Sequence, residues 1–200
     1  GLAAGVEVGG TFTDLVIFAP ATGGVRLAKV PTTLPNQSGG VLDAFADAGV
    51  DLSDIDLIVH GTTTTTNAVL ERQLSKTGMI TTAGFRDVLE LGRRTRPRAY
   101  GMHGHFVPVI PRDLRLEVAE RMDARGRVVT PLAEDALLAA VACLRDEGCE
   151  ALVVHFLHSY ANPMHELRAG AIAKTIWPND YITLGHKLLS ESREYERGVT

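Results

Sequence analysis

The chain opens on a strongly apolar β pattern that is broken in one place. Val6 and Val8, then Leu15, Val16, Ile17 and Phe18, are strand formers, with Gly9-Gly10-Thr11-Phe12-Thr13-Asp14 between them. Two strands joined by a glycine turn predict a β-hairpin. Residues 25–33 predict a third strand. Residues 37–48 predict a helix, with Val41, Leu42, Phe45, Ala46 and Ala48 at helical spacing and Gly49 ending it. A buried strand is expected at 55–62, a helix at 67–74, a short strand at 77–82 and a helical turn at 84–91. Residues 92–111, rich in Pro, Gly, Arg and His, carry no period and read as a long loop. Alternation predicts a strand at 114–123, then a turn at Ala124-Arg125-Gly126 and a strand within 126–132. Residues 134–147 give the clearest helix, with Ala136, Leu137, Ala140, Val141 and Leu144 on one face. A strand at 150–159, a helix at 164–176 and a strand at 180–186 complete the pattern. An opening hairpin followed by alternating strands and helices implies an α/β fold with a mixed β-sheet and flanking helices.

Composition narrows the function classes. Two hundred residues, 45% of them apolar, suffice for a buried core in one domain or for two small ones. A formal charge of −4 gives no general attraction to nucleic acid, and no nucleic-acid partner is expected. The longest apolar runs, such as residues 151–157, are too short to span a bilayer, so no membrane partner is expected either. The N-terminus has no basic region before its apolar stretch, and no secretory signal is read there. Cys143 and Cys149 make no metal or redox motif, which points to reduced thiols and a cytoplasmic location. The chain begins without Met and ends on the polar run 190–200, so it reads as a piece of something longer.

Three stretches carry candidate chemistry. The hairpin turn reads either as a plain tight turn or as an anion site, where Gly9 and Gly10 let a phosphate approach backbone amides. Thr11 and Thr13 would then add hydroxyl donors, and Glu7 or Asp14 could hold a metal ion. It is no dinucleotide fingerprint, because the glycines lead into a second strand rather than a helix, and no P-loop occurs in the chain. The second stretch, "HGTTTTTNAVLER" at 60–72, is either an over-supplied helix cap or a ligand crevice at a strand C-terminus. His60, Thr62, Thr63 and Asn67 are its candidates, with His60 and Thr63 expected to face the same cleft as Gly10. The third is "GRRTRPR" at 92–98, where Arg93, Arg94, Arg96 and Arg98 make a solvated loop or converge on an anion or a partner. Among the histidines, His103 and His105 lie in that loop. His155 and His158, three apart on an expected strand, would point to opposite faces and make a poor metal pair. His158 is the better single candidate, because a strand gives way to a loop there.

Six blocks in order, "GVEVGGTFTD", "HGTTTTTNAVLER", "GFRDVLELGRRTRPRAY", "ERMDARGRV", "FLHSYANPMHE" and "SREYERGVT", resemble the N-terminal part of the hydantoinase A / 5-oxoprolinase family. That family includes acetone-carboxylase-type subunits and related lactamases. The resemblance implies the actin–sugar kinase–Hsp70 (ribonuclease H-like) architecture, with residues 1–200 as a single N-terminal domain. The second phosphate motif and the adenosine pocket would lie beyond Thr200. It also implies ATP with Mg²⁺ or Mn²⁺, a cyclic amide substrate such as hydantoin or 5-oxoproline, or a ketone in the carboxylases, and a B-type partner subunit. On this pattern Gly9, Gly10, Thr11 and Thr13 match the first phosphate loop. Glu7 or Asp14 would hold the metal, Arg93 or Arg94 would stabilise developing charge, His60 is a further catalytic candidate, and Thr62, Thr63, Asn67 and His158 would line the cleft. One departure stands out: the family pattern has Asp where this chain has Glu7. A glutamate carries the charge one methylene further, and a misplacement of ~1 Å can cost roughly a hundredfold at a reacting centre. A small-molecule kinase of the same architecture and a non-catalytic scaffold subunit are the rival expectations.

Overall fold

A computed structural model describes residues 1–33, 36–93, 100–101 and 107–200. Their contacts divide into two compact units, Gly1–Leu74 and Ser75–Thr200. The single domain expected across the chain thus contains two small cores, the second of the arrangements its length allows.

The first unit comprises β1 (Leu2–Val8), β2 (Phe12–Ala19), β3 (Gly24–Pro31), α1 (Gln37–Asp47), β4 (Ile55–Thr62) and α2 (Thr64–Leu70). Its sheet runs β3-β2-β1-β4, antiparallel from β3 to β1 and parallel between β1 and β4. This is the mixed sheet that the sequence predicts. A parallel neighbour needs a crossover, and α1 lies within the connection that supplies it. Ala4, Val6, Val8, Leu15, Ile17 and Ala28 share one face of the sheet and pack with Ala44 and Phe45 of α1. Asn36 caps the helix by accepting from the Ser38 amide at 3.3 Å. Gly49, at φ +63°, turns the chain away after the helix in a conformation that glycine adopts without strain.

Two expectations in this unit change. β4 is a strand, as expected, but it is not buried: Leu57, Ile58 and Val59 are 56%, 52% and 61% exposed. It lies at the edge of its sheet, and α1 packs on β1, β2 and β3. On the face opposite α1, Val16, Phe18, Val25 and Leu27 are exposed as well. Helix α2 starts inside the threonine run rather than at Asn67, with Thr63 at its N-cap position and the Thr64 amide donating to the Thr62 hydroxyl at 3.2 Å.

The second unit contains β5 (Thr77–Thr82), α3 (Val88–Leu91), β6 (Arg115–Val118), β7 (Arg121–Met122), β8 (Val128–Thr130), α4 (Glu134–Asp146), β9 (Ala151–His155), α5 (Met164–Ala173), β10 (Ile182–Leu184), α6 (Gly185–Leu188) and α7 (Glu194–Val199). Its sheet runs β10-β9-β5-β6 and is parallel throughout. Helix α4 lies over β5 and β6, and α5 over β9 and β10. Ile80, Leu152 and Val154 meet Leu137, Val141 and Leu144 in a core that Trp177 closes.

Here too the sequence reading is adjusted. The strand expected at 114–123 is two strands, β6 in the parallel sheet and β7 paired with β8. Between them Glu120 turns inward, a polar residue that alternation cannot anticipate. Strand β9 stops at His155, well short of residue 159, and the terminal polar run forms α7. Much of the loop expected at 92–111, with Arg94, Arg96, Arg98, His103 and His105, lies outside the described residues.

Candidate functional site

The turn between β1 and β2 spans Gly9, Gly10 and Thr11. Gly9 closes it by donating its amide to the Phe12 carbonyl at 3.0 Å. Among the described residues, the amides of Gly10 and Thr11 have no hydrogen-bond partner. Neither glycine is in the left-handed region, so backbone freedom is not what the turn requires of them. Space is. A Cβ on Gly10 would sit 3.4 Å from the Asn67 side-chain nitrogen, and one on Gly9 would sit 3.0 Å from the Phe12 carbonyl.

The threonine connection meets this turn directly. Thr62 donates its hydroxyl to the Val8 carbonyl at 3.0 Å, and the Thr63 amide reaches the same carbonyl at 3.4 Å. Parallel strands β1 and β4 therefore end side by side, with the glycine turn after one and α2 after the other. Gln37 of α1 donates to the Thr64 hydroxyl at 3.3 Å and joins a third element to the corner. Gly10, Thr62, Thr63 and Asn67 are thus brought together as the sequence reading expects.

Other candidates fall elsewhere. Thr13 is fully buried on the α1 face, with its hydroxyl 3.1 Å from that of Thr32, so it braces the turn from beneath and does not line it. His60 pairs in register with Val6, and Gly61 with Glu7. Side chains alternate along a strand, so His60 shares the α1 face while Glu7 points to the opposite one. Glu7 and Asp14 are cross-strand partners on that opposite face, and the Lys29 ammonium lies 2.9 Å from Asp14.

The remaining two candidates belong to the second unit. Arg93 donates to Glu196 at 2.7 Å. His158, at φ +60°, donates its amide to Glu194 at 3.1 Å, and its ring nitrogen Nδ1 lies 3.3 Å from the Tyr160 hydroxyl. Because β9 ends at His155, the opposite-face rule does not reach His158. Both imidazoles approach Glu194, at 3.5 Å from His155 and 4.0 Å from His158.

Around them lies a buried polar cluster at the C-terminal ends of the parallel strands. Glu166, fully buried, accepts from the Phe156 amide at 2.8 Å, the His186 amide at 2.9 Å and the His186 ring at 2.6 Å. Glu120 bonds the Thr82 hydroxyl and sits 2.8 Å from the His165 ring. Arg197 reaches the Phe156 and Glu191 carbonyls and pairs with Glu194. Burial, aided by the Arg197 charge, lowers the His155 pKa to about 3. Burial also raises that of Glu194, against the opposing pull of Arg197.

The model of the hydantoinase/oxoprolinase N-terminal region matches residues 3–177, nearly all of the first unit and the second as far as Trp177. The chain belongs to this family. It is 35% identical to the acetophenone carboxylase gamma subunit of Aromatoleum aromaticum over 98% of its own length and 29% of that protein's. The nucleotide-free structure of acetone carboxylase superposes with a TM-score of 0.84 at 28% identity, covering 98% of this chain and 30% of that one. The crystal structure of the ATP-dependent caprolactamase from Pseudomonas jessenii gives 0.80 at 30% identity, with the same coverage. The chain therefore spans about three tenths of the length of these relatives. Among the described residues, no helix is long and apolar enough to cross a membrane.

Within this family region, motif reading misses what holds the turn in shape. Thr32 donates its hydroxyl to the Gly9 carbonyl at 2.8 Å and its amide to the Thr11 carbonyl at 2.9 Å. The only sequence signal is a pair of hydroxyl residues directly after a strand. The Glu166 cluster had a clearer one. Glu166, Ala169, Gly170 and Ala173 recur at helical spacing on the buried face of α5, which places a carboxylate at a core position.

Proposed function

We propose that the chain supplies the phosphate-holding hairpin of an ATP-dependent enzyme that activates the amide oxygen of a cyclic amide of the hydantoin or 5-oxoproline kind. The observation that carries this reading is the turn at Gly9–Thr11, with two unpartnered amides where β1 and β4 end side by side. Phosphoryl transfer asks a protein chiefly for positioning and charge neutralisation, with little covalent chemistry of its own. The Gly10 and Thr11 amides and the Thr11 hydroxyl would donate to phosphate oxygens, and Asn67 would close the outer side of the turn. Glu7 and Asp14, opposed on one face, present the hard carboxylate oxygens that Mg²⁺ or Mn²⁺ prefers, and like charges in that position gain from a shared cation. A bound Mg²⁺ would neutralise phosphate charge.

Gly10→Val tests the reading. In the whole protein it should abolish ATP-dependent turnover while leaving the circular dichroism unchanged, because a branched side chain fills the space in front of Asn67. Unaltered turnover would remove the hairpin from the site.

A second reading, ATP-dependent ketone carboxylation, is favoured by the likeness to the acetophenone and acetone carboxylases. Phosphate release stimulated by hydantoin or 5-oxoproline supports the amidase, and release that requires a ketone with bicarbonate supports the carboxylase. A stable phosphorylated product would instead indicate a kinase. Because the relatives include named subunits, we extend the proposal to a B-type partner subunit, and to a cytoplasmic location.

A further inference from the structure

We infer that Lys29 is a phosphate-binding residue of this site, exchanging its partner from Asp14 to a phosphate oxygen when metal and phosphate arrive. The inference rests on the phosphate-site reading and assigns a role to a side chain that no motif singled out. Lys29 pairs in register with Asp14 across β2 and β3, and Asp14 pairs with Glu7 across β1 and β2. Three charged residues therefore stand in a row on one face, at the end of the sheet where the turn lies. The Lys29 ammonium lies 2.9 and 3.2 Å from the two Asp14 oxygens and 5.1 Å from the centre of the Phe12 ring. Phe12 directly follows Thr11, so the ammonium already leans toward the turn.

The physical argument is one of exchange. The ion pair is open to water, with Lys29 58% and Asp14 45% exposed. Pairs of this kind stabilise by only about 0.2–1 kcal/mol, so breaking one is a small obstacle. Asp14 cannot offer its full charge to a cation while Lys29 holds both of its oxygens. Once a divalent cation takes Glu7 and Asp14, the freed ammonium would have a phosphate held in the turn as its partner. Lysine suits this role, being a mobile point charge on a flexible stem.

The expected signature is a pair of opposite effects. Lys29→Met should bind Mn²⁺ alone about two- to fivefold more tightly by electron paramagnetic resonance, because Asp14 loses its competitor. The same variant should bind inorganic tripolyphosphate about tenfold more weakly by calorimetry at saturating Mn²⁺, because one charge-assisted bond is gone. Lys29→Arg should restore tripolyphosphate binding, and Leu27→Ser, on the same face, should match the wild type in both titrations. Weakening of both ligands, tightening of both, or no change in either overturns the role of Lys29. If tripolyphosphate binding still depends on Gly10 and Asp14, the site reading survives that result. If the wild type takes up no tripolyphosphate and Asp14→Asn leaves Mn²⁺ binding unchanged, both readings fall together.

Discussion

In the first unit, the segments after β1 and β4 leave the amides of Gly10 and Thr11 without partners among the described residues. In the second, the segments after β9 and β10 are tied to Glu166, and the Thr82 hydroxyl at the end of β5 to Glu120. Both are strand C-termini in α/β sheets, the usual place for a ligand crevice. The difference lies in who uses the donors. A buried carboxylate that already accepts three hydrogen bonds has little left to offer a ligand, and its amides are equally committed. Open donors point to binding. Closed ones point to a corner that holds itself together.

The largest effect should come from opening the closed corner. Glu166→Ala leaves the Phe156 amide, the His186 amide and the His186 ring without their acceptor, and removal of one partner from a buried charged network costs about 3–5 kcal/mol. Hydrogen exchange should show β9 and β10 losing protection while β1 and β2 keep theirs. Equal loss in both units would break the comparison.

Acid should act on the same unit. His155 has a folded pKa of about 3 against an ordinary 6.5, so the unfolded chain takes up a proton that the folded one refuses. Its contribution to stability is complete above pH 6.5 and is lost as pH falls toward 3. Over that interval the loss approaches roughly 5 kcal/mol, at about 1.4 kcal/mol per pH unit. Glu194 runs the other way, since a raised carboxylate pKa favours the fold as that group takes up its proton below its own folded value. Exchange protection of β9 should therefore fall as pH drops below 6.5, and His155→Gln should flatten that slope.

A smaller change sharpens the other side. Thr32→Val keeps the shape but removes the hydroxyl from the Gly9 carbonyl and from Thr13, at about 1–2 kcal/mol. Its exchange footprint should stay within the first unit, and tripolyphosphate binding should weaken with it.

These outcomes bear on what the sequence could disclose. The first hairpin, α1 and α4 were legible because each is a local pattern, period two or period 3.6, that needs no knowledge of the rest. The place of β4 was not, since an apolar run signals a strand without saying whether it lies at the centre or the edge. Threonine's low helix propensity hid the start of α2, where the Thr64 amide donates to the Thr62 hydroxyl. At the site, Gly10 and Asn67 were found through motifs. Thr13 was misread because alternation sends it inward with Leu15. Lys29 and the Glu120 and Glu166 clusters depend on partners far along the chain, such as Thr82 with Glu120 and Glu120 with His165, and no window of local pattern contains them.

The brace from Thr32 has a consequence for anyone who would borrow this hairpin. Residues 5–18 look like a portable module, short, local and ending where they began. Yet the carbonyls of Gly9 and Thr11 are held by a residue from beyond the next strand, and the hydroxyl beneath the turn is held by that same residue. Grafted alone onto another sheet, the loop would keep its letters and lose its shape. The smallest transplantable piece runs from β1 through Thr32, three strands rather than two.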